Sequence, residues 1–271
     1  MISLPPTSME DVVSLSRKTR LSRAASALVP LVVAILAVAH AGPASAIVNG
    51  LDVYQGQYEF SVKLTATGIP TPDGGRRDSA CSGALIAPQW VITAGHCFRD
   101  LNGVPVEYPV ADLTTATVGR AILSSGAGHV VKVVAVRQSP SNDVALAKLE
   151  TPITDVAPIR LTTVAPKVGD VLRLTGYGAT SGTNQVPSDR LKTGRFTVAT
   201  VDPTTIGVTG LAPAPDTSAC PWDSGGPYFS EYRGRAILFS VESTGPDCPH
   251  SSAETTARVD VITGWIRQVV G

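Results

Sequence analysis

The chain has 271 residues, of which 43% are apolar, 16% are charged and 5% are aromatic. Positive and negative charges balance, so no basic excess points to nucleic acid as a partner. Length and composition exclude a disordered or fibrous chain and fit one large globular domain or two small ones.

The first 46 residues have the pattern of a secretory signal peptide. Four basic residues precede the apolar run AASALVPLVVAILAVAHA (24–41), and Ala44–Ala46 provides the small residues of a cleavage site. A retained membrane anchor is the alternative, but Pro30 and His40 shorten the apolar stretch below the roughly 20 residues that a span needs. We therefore predict a secreted, extracellular protein that has no membrane association once residues 1–46 are removed.

Beyond residue 46 the sequence consists of short apolar segments separated by turn residues. Several segments alternate apolar and polar residues with the period of two that is typical of strands. Because helical patterns do not separate these strands, they favour a barrel or a sandwich. The predicted strands are EFSVKL (59–64), SGALIA (82–87), QWVITA (89–94), HVVKVVAV (129–136), DVALAKL (143–149), DVLRLTGYG (170–178), RFTVATV (195–201) and AILFSV (236–241).

Two later segments complete the predicted organisation. The proline-containing stretch TPITDVAPIRL (151–161) is the best candidate for a connection between two halves of the protein. The C-terminal segment 257–271 is predicted to be helical, because its apolar residues recur at spacings of three and four. These residues are Val261, Ile262, Trp265, Ile266 and Val269.

The chain contains four cysteines, all beyond the predicted leader, at positions 81, 97, 220 and 248. An even number of cysteines behind a secretion signal predicts disulfides formed in an oxidising compartment. Spacing alone leaves three pairings open. No C-x-x-C motif occurs and the histidines are scattered, so a metal site is not favoured.

Three residues form the candidate catalytic group, in the order His96, Asp143 and Ser224. Serine is a weak nucleophile that needs a nearby base, and histidine titrates near neutrality and can accept its proton. A carboxylate can fix the histidine tautomer and stabilise the imidazolium. Taken singly, each has an ordinary structural explanation, namely a structural histidine, a turn aspartate and a flexible SGG turn.

The surroundings of these residues resemble a known family. SGALIAPQWVITAGHC (82–97), DVALAKL and CPWDSGGP (220–227) resemble the three signature segments of the chymotrypsin/trypsin-like serine proteases. IVNG (47–50) resembles the mature N-terminus of that family, LFSVESTG (238–245) its substrate-binding strand and RVDVITGWI (258–266) its C-terminal helix. The order His, Asp, Ser also fits this family.

The resemblance implies an all-β fold of two antiparallel six-stranded barrels with a C-terminal helix. Residues 47–158 would form the N-terminal barrel, which carries His96 and Asp143. Residues 159–271 would form the C-terminal barrel and the helix, which carry Ser224 and the specificity pocket. The family needs no metal or organic cofactor.

The resemblance also assigns structural roles. It pairs Cys81 with Cys97 beside the histidine, and Cys220 with Cys248 at the specificity pocket. It further implies that Ser240 helps to orient Asp143.

A second set of implied roles concerns the nucleophile loop. The backbone N–H groups of Ser224 and Trp222 would form the oxyanion hole, and Gly225 and Gly226 would permit the tight turn. The amine of Ile47 would pair with buried Asp223 and so switch the site on when the leader is removed, without a separate propeptide.

Two features depart from the family pattern. Trp222 stands where glycine is expected, so the sequence predicts either a strained positive φ or a flipped peptide that loses an oxyanion donor. We interpret the segment around Trp222 as part of a working active site. The indole would overhang the leaving-group side and make the site selective.

The specificity pocket is the second departure. Ser218 stands where trypsins carry aspartate, which implies an uncharged pocket base. Ser240 falls on the expected substrate-binding strand. Glu242 and Glu254 align approximately with the pocket walls, where they would block the pocket or pair with a basic side chain. Basic and apolar specificity both remain open, with basic slightly favoured.

The sequence therefore predicts a secreted serine endopeptidase, a monomer, that acts on protein or peptide substrates and binds protein protease inhibitors. The main alternative is an inactive or weakened binding protein on a protease fold, and Trp222 is the feature that supports it. Esterase activity is a further alternative, because acyl transfer serves both reactions.

Overall fold

The computed structural model describes residues 47–179, 181–183 and 185–271. The predicted leader, residues 1–46, lies outside the described residues. Within the described part of the chain, no helix is long and apolar enough to cross a membrane.

The first half of the described chain forms a closed six-stranded antiparallel barrel. Its strands are connected in the order β2-β3-β4-β7-β6-β5, and the β2–β5 pairing closes the barrel. Valine, isoleucine and leucine side chains fill its interior, because alternate residues of each strand face inward. Its strands are β2 (Ser61–Pro70), β3 (Arg76–Ala87), β4 (Trp90–Thr93), β5 (Leu113–Val118), β6 (His129–Gln138) and β7 (Ala145–Leu149).

The second half forms a second six-stranded antiparallel barrel, in which β9 closes the ring by pairing with both β10 and β12. The short strand β1 (Leu51–Asp52) pairs with β10, and β8 (Arg160–Leu161) runs parallel to β13. The barrel strands are β9 (Val171–Gly176), β10 (Lys192–Val201), β11 (Thr205–Ala212), β12 (Pro227–Tyr232), β13 (Arg235–Thr244) and β14 (Glu254–Arg258). The predicted all-β fold with two barrels is thus confirmed.

The pairing of β1 with β10 has a consequence for the site. It anchors the beginning of the described chain on the second barrel, although residues 61–149 belong to the first. Ile47 is fully buried there and packs with Leu172, Leu174 and Phe196. Burying one isoleucine side chain stabilises a fold by about 1.5–3 kcal/mol, so this segment is firmly held in the barrel.

All eight predicted segments contain strands, and the remaining differences have physical causes. Four barrel strands, β5, β11, β12 and β14, were not predicted. Threonine and glycine interrupt the apolar pattern of β5, β11 and β14, and β12 begins at a proline directly after Gly225 and Gly226. The C-terminal helix α1 is shorter than predicted and spans Thr263–Val270. Residues 257–258 belong to β14 and Asp260–Ile262 form a 3₁₀ turn, so Val261 is exposed rather than on the apolar face.

Candidate active site

His96 and Asp143 meet at the edge of the first barrel. His96 lies in the 3₁₀ turn Gly95–Cys97 after β4, and Asp143 precedes β7, the strand next to β4. Asp143 Oδ2 lies 2.7 Å from His96 Nδ1, and its Oδ1 accepts the His96 backbone N–H at 2.8 Å. An ionised Asp143 accepts a hydrogen from Nδ1, which leaves the Nε2 lone pair free to act as a base.

Burial acts to raise the pKa of Asp143, but the hydrogen bonds from His96 and Ser243 outweigh it and hold that pKa below its usual range. Asp143 is therefore ionised at neutral pH. The same bonds fix the position of the carboxylate relative to the imidazole.

The serine that contacts Asp143 is Ser243, not Ser240. Ser243 Oγ donates to Asp143 Oδ2 at 2.7 Å. Ser240 is fully buried and bonds with Thr256 Oγ1 at 2.7 Å. The predicted orienting role of Ser240 is therefore wrong. A register irregularity between Glu242 and Thr244 changes the facing of the residues on β13, so simple alternation does not predict which serine reaches Asp143.

Ser224 lies in a tight loop before β12, and this loop packs against the first barrel. Its carbonyl accepts the Ser82 N–H at 2.8 Å. Gly225 has a φ of +82°, and a Cβ there would clash with the Thr93 hydroxyl and the Ser82 carbonyl oxygen. Only glycine fits this approach.

Ser224 and His96 line the same two cavities, so the loop brings the predicted nucleophile beside the predicted base. Among the described residues no hydrogen bond joins the Ser224 hydroxyl to the His96 ring. In serine enzymes this bond is often long until substrate binds.

Both implied disulfides are present. Cys81 on β3 is bonded to Cys97 in the histidine turn, with sulfurs 2.00 Å apart. Cys220 in the serine loop is bonded to Cys248, with sulfurs 1.97 Å apart. Each bridge ties a segment of the site to a neighbouring part of the fold.

Of the two conformations predicted for Trp222, the structure has the strained positive φ. The peptide before Trp222 is not flipped, so its N–H is not lost as a donor. The φ of Trp222 is +76°, which costs a non-glycine residue on the order of 1–3 kcal/mol. The Pro221 carbonyl of the same peptide accepts the Ala179 N–H at 2.6 Å. Because C=O and N–H point in opposite directions across a trans peptide, the Trp222 N–H points away from Ala179. Among the described residues, neither this N–H nor that of Ser224 has an acceptor.

Lys63, a buried lysine that the sequence did not point to, lies against the loop that carries Trp222. Lys63 on β2 donates to the Tyr177 carbonyl at 2.7 Å, and its Nζ lies 5.6 Å from the centroid of the Trp222 ring. Burial lowers the pKa of Lys63 to about 8, and the charge of Asp223 opposes that effect. A cation against an indole face is attracted to the ring, so Lys63 offsets part of the strain at Trp222. Its only sequence signal is a lysine between two apolar residues, Val62 and Leu64, of a predicted strand.

Asp223 is fully buried and accepts three backbone N–H groups, from Ile47 at 3.2 Å, Cys220 at 3.0 Å and Gly178 at 2.7 Å. Burial raises its pKa to about 6, although the three donors and Lys63 act in the opposite direction. In the full chain the Ile47 nitrogen is a peptide N–H that follows Ala46. It becomes an ammonium only if the chain is cut between these two residues.

A cavity of about 280 Å³, here called the carboxyl cavity, opens beside Ser224 and His96. Glu242 and Glu254 line it, and that this cavity is the specificity pocket stays a prediction. Ser218 and Ser240 are fully buried and do not belong to the lining. Ser218 Oγ instead accepts the His250 N–H at 3.2 Å. The role of Ser218 at the pocket base stays a prediction.

Glu254 is held by the residues around it. Its Oε1 accepts the Ala219 N–H at 2.6 Å, and its Oε2 accepts the Tyr228 hydroxyl. Glu242 has one carboxyl oxygen, Oε2, that is buried without a hydrogen-bond partner among the described residues. Burial raises the pKa of Glu254 to about 7 and raises the pKa of Glu242 well above its usual range. In both groups burial is the largest cause of the shift.

A second cavity of about 420 Å³, here called the Trp222 cavity, lies beside the same two catalytic candidates. The indole of Trp222 forms part of its wall, together with Cys81–Cys97 and the basic side chains of Arg77 and Arg99. Trp222 therefore borders the cleft at a place where it can restrict what enters.

The sequence model of the family described as Trypsin matches residues 47–266. The chain belongs to the trypsin family. It is similar to Glucanase inhibitor protein 1 of Phytophthora sojae, with 29% identity over 79% of this chain and 87% of that protein. It is also similar to a chymotrypsin of Phaedon cochleariae, with 24% identity over 83% of this chain and 82% of that protein.

Among solved structures, neuropsin, a serine protease expressed in the limbic system of mouse brain, matches with a TM-score of 0.66 and 18% identity. The match covers 83% of this chain and all of that one. This likeness supports the fold. Membership of the trypsin family indicates a protein of the serine protease kind, and the chemistry of this member is argued from its own residues.

Proposed function

We propose that this trypsin-family protein is a secreted serine endopeptidase that cleaves proteins or peptides through an acyl-enzyme on Ser224. The observation that carries the proposal is the carboxylate of Asp143. It is ionised, and it is held by Ser243 and by two hydrogen bonds from His96, in a cleft that Ser224 shares. An isolated histidine–aspartate pair at the surface would need none of these supports.

The residues have distinct roles in the proposed reaction. Ser224 Oγ attacks the substrate carbonyl carbon while His96 Nε2 takes the hydroxyl proton. The imidazolium, stabilised by Asp143, then gives that proton to the leaving amine as the peptide C–N bond breaks. Water repeats the sequence on the acyl-enzyme, which releases the acid and restores Ser224.

The oxyanion of the tetrahedral intermediate would be held by the N–H groups of Trp222 and Ser224. Both lack an acceptor among the described residues, which supports this role. One such donor is worth on the order of 10²–10³ in turnover, so a strain of 1–3 kcal/mol at Trp222 is offset when the donor is correctly placed.

Cleavage after Ala46 would complete the site. The new Ile47 ammonium would ion-pair with Asp223 in place of a neutral N–H, and a fully buried carboxylate gains strongly from such a partner. Removal of the predicted leader during secretion would supply this cut. We therefore expect the active protein to begin at Ile47, and a longer N-terminus on fully active protein would contradict this expectation.

A fluorophosphonate probe tests the nucleophile directly. We expect labelling of Ser224, located by peptide mass spectrometry, in the wild type and not in His96→Ala. The matched control is His129→Ala, because His129 also pairs with an aspartate, Asp155, at 2.8 Å on the surface of the first barrel. Labelling that survives in His96→Ala, or is absent from folded wild type, would contradict the proposal.

A non-catalytic binding protein is the second candidate function. It is favoured by the similarity to a relative named as a glucanase inhibitor and by the strain at Trp222. The probe separates the two functions, since a binding protein would remain unlabelled. We favour the enzyme because the supports of Asp143 and the two free N–H groups serve catalysis and have no role in binding alone.

A further inference from the structure

Ser82 and Lys63 stand directly opposite each other on neighbouring strands of the first barrel, Ser82 on β3 and Lys63 on β2. Opposed residues place their side chains on the same face of a sheet, and both are buried here, at 1% and 6% exposure. Tyr177 of the second barrel donates its N–H to the Ser82 hydroxyl at 3.0 Å, and its carbonyl accepts from Lys63 at 2.7 Å. The two side chains therefore join the barrels beside the loop that carries Trp222.

The Ser82 hydroxyl reaches that loop directly, because it donates to the Trp222 carbonyl at 3.1 Å. One hydrogen given to Trp222 and one accepted from Tyr177 fix the direction of this hydroxyl. The main chain of Ser82 is held as well, since its N–H donates to the Ser224 carbonyl at 2.8 Å and its carbonyl accepts the Thr93 hydroxyl at 2.7 Å. Ser82 is thus a fixed point from which the first barrel holds Trp222.

The backbone angles of Trp222 relate the two peptide planes that flank its Cα atom. The plane before it is held by the Pro221 carbonyl, which accepts the Ala179 N–H at 2.6 Å. The plane after it is held by the Ser82 hydroxyl and by the Asp223 N–H, which donates within the loop at 3.0 Å. Among these partners only the Ser82 hydroxyl belongs to a side chain, so a substitution can remove it and leave the backbone groups in place.

A strained conformation persists only where the surrounding structure holds it. Trp222 has a φ of +76°, and tryptophan without that hold would return to negative φ. Such a return would rotate the adjoining peptides and redirect the N–H groups of Trp222 and Ser224, which have no acceptor among the described residues. The direction of both donors therefore depends on the hydrogen bond from Ser82.

We propose that Ser82 is a positioning residue whose hydroxyl holds Trp222 in its left-handed conformation and so keeps the N–H groups of Trp222 and Ser224 directed at the oxyanion. Lys63 acts on the side chain of the same residue, because its Nζ lies 5.6 Å from the centroid of the Trp222 ring. Glycine adopts positive φ without strain and would need no such hold. The effect on catalysis rests on the proposed function, whereas the hold on the Trp222 backbone does not.

The kinetic test uses protein that begins at Ile47 and the small ester p-nitrophenyl acetate, because its hydrolysis requires the oxyanion donors and no particular substrate side chain. Ser82→Ala should lower kcat by about 10–10²-fold, which is less than the loss on the order of 10²–10³ for a donor removed outright. KM should stay within about twofold, since oxyanion donors act on the transition state more than on the bound substrate.

The same substitution in a Trp222→Gly background separates positioning from a general loss of stability. There Ser82→Ala should change kcat by about twofold or less, as for residues that act independently. An equal loss in both backgrounds would overturn the proposal. If Ser82→Ala folds only together with Trp222→Gly, the dependence on residue 222 supports the proposal, and failure to fold in both backgrounds overturns it.

Ser61→Ala is the matched control. Ser61 on β2 is also buried, at 2% exposure, and its hydroxyl also joins the two barrels, through Thr175 Oγ1 at 2.8 Å. Among the described residues it has no hydrogen bond to Trp222. We expect Ser61→Ala to leave kcat within about twofold of wild type. A loss as large as that of Ser82→Ala would show that any bond between the barrels has this effect, and would overturn the specific role of Ser82.

Crystal structures of wild type and Ser82→Ala give a readout that is independent of activity. We expect Trp222 to leave its positive φ in Ser82→Ala, and an unchanged φ there would overturn the proposal. Wild type that is not labelled by the fluorophosphonate would contradict the proposed protease, and the two crystal structures would still decide whether Ser82 holds Trp222. Labelled wild type with an unchanged φ in Ser82→Ala would leave the protease standing and reject the role of Ser82.

Discussion

Asp143, which is bonded to His96, and Glu254, which lines the carboxyl cavity, accept three and two hydrogen bonds and have opposite electrostatic outcomes. Asp143 is about a quarter exposed, and its donors hold its pKa below the usual range. Glu254 is buried beside another carboxyl, so burial outweighs its donors and raises its pKa to about 7. Residual exposure and the charge of the neighbours therefore decide whether a carboxyl in this cleft is a fixed charge or a titrating one.

The largest expected effect comes from neutralising the fixed charge. Asp143→Asn should lower kcat/KM on a peptide substrate by about 10³–10⁴-fold, because the amide no longer fixes the imidazole tautomer or stabilises the imidazolium. Steady-state kinetics on protein that begins at Ile47 measure this loss. Asp155→Asn, in the surface His129–Asp155 pair, should leave kcat/KM unchanged, and a comparable loss there would mean that the effect is not specific to the site.

Removing the titrating acid should act on stability instead. The unfolded Glu254 ionises near its usual pKa of 4.5 and the folded one at about 7, so the folded state binds more protons between these values and stability falls as pH rises through this window. Glu254→Gln should therefore raise the free energy of unfolding at pH 8 by up to about 3 kcal/mol and have little effect below pH 4.5. Urea unfolding across this range gives the difference, and a gain of equal size at low pH would exclude titration as its cause.

Lys63 extends the comparison to a third carboxyl, that of Asp223. The positive charge of Lys63 acts to lower the pKa of Asp223 and so favours its ionised form. Lys63→Met should cost about 1–3 kcal/mol of stability, because the Tyr177 carbonyl loses its buried donor. Activity should fall further than stability alone explains, because Trp222 also loses the cation beside its ring. Denaturant unfolding and kinetics on the same preparation separate the two effects. Exposed Lys132→Met on β6 is the control and should change neither quantity.

The smallest effect is expected at the serine that holds Asp143. Ser243→Ala should lower kcat/KM by roughly tenfold, which corresponds to the loss of one hydrogen bond to a charged group. Ser240→Ala should leave kcat/KM nearly unchanged and lower stability, because Ser240 bonds with Thr256 away from Asp143. A larger loss of kcat/KM in Ser240→Ala than in Ser243→Ala would instead assign the orienting role to Ser240.

These assignments show which parts of the molecule a single sequence specifies. Alternating strands, the signature segments around His96, Asp143 and Ser224, and the cysteine positions are local patterns, and they were enough to predict the two-barrel fold. The threonine-rich strands β5 and β14 were missed because their inward faces are not strongly apolar.

The choice between Ser240 and Ser243 depends on a register irregularity that no local pattern encodes. The place of Ser218 behind the cavity, and the contact of Lys63 with Trp222, depend on how distant segments pack. These features lie in tertiary geometry, which composition and periodicity do not report.

The partly exposed indole of Trp222 also gives the protein a built-in optical reporter. The chain has three tryptophans, and the other two lie elsewhere, with Trp90 buried in the first barrel and Trp265 on the C-terminal helix. Only Trp222 borders the cleft beside Ser224. A molecule that fills the Trp222 cavity would shield that indole from water and shift its emission to shorter wavelength. Occupancy and departure on this side of the cleft can therefore be followed in real time, on unlabelled protein, by its own fluorescence.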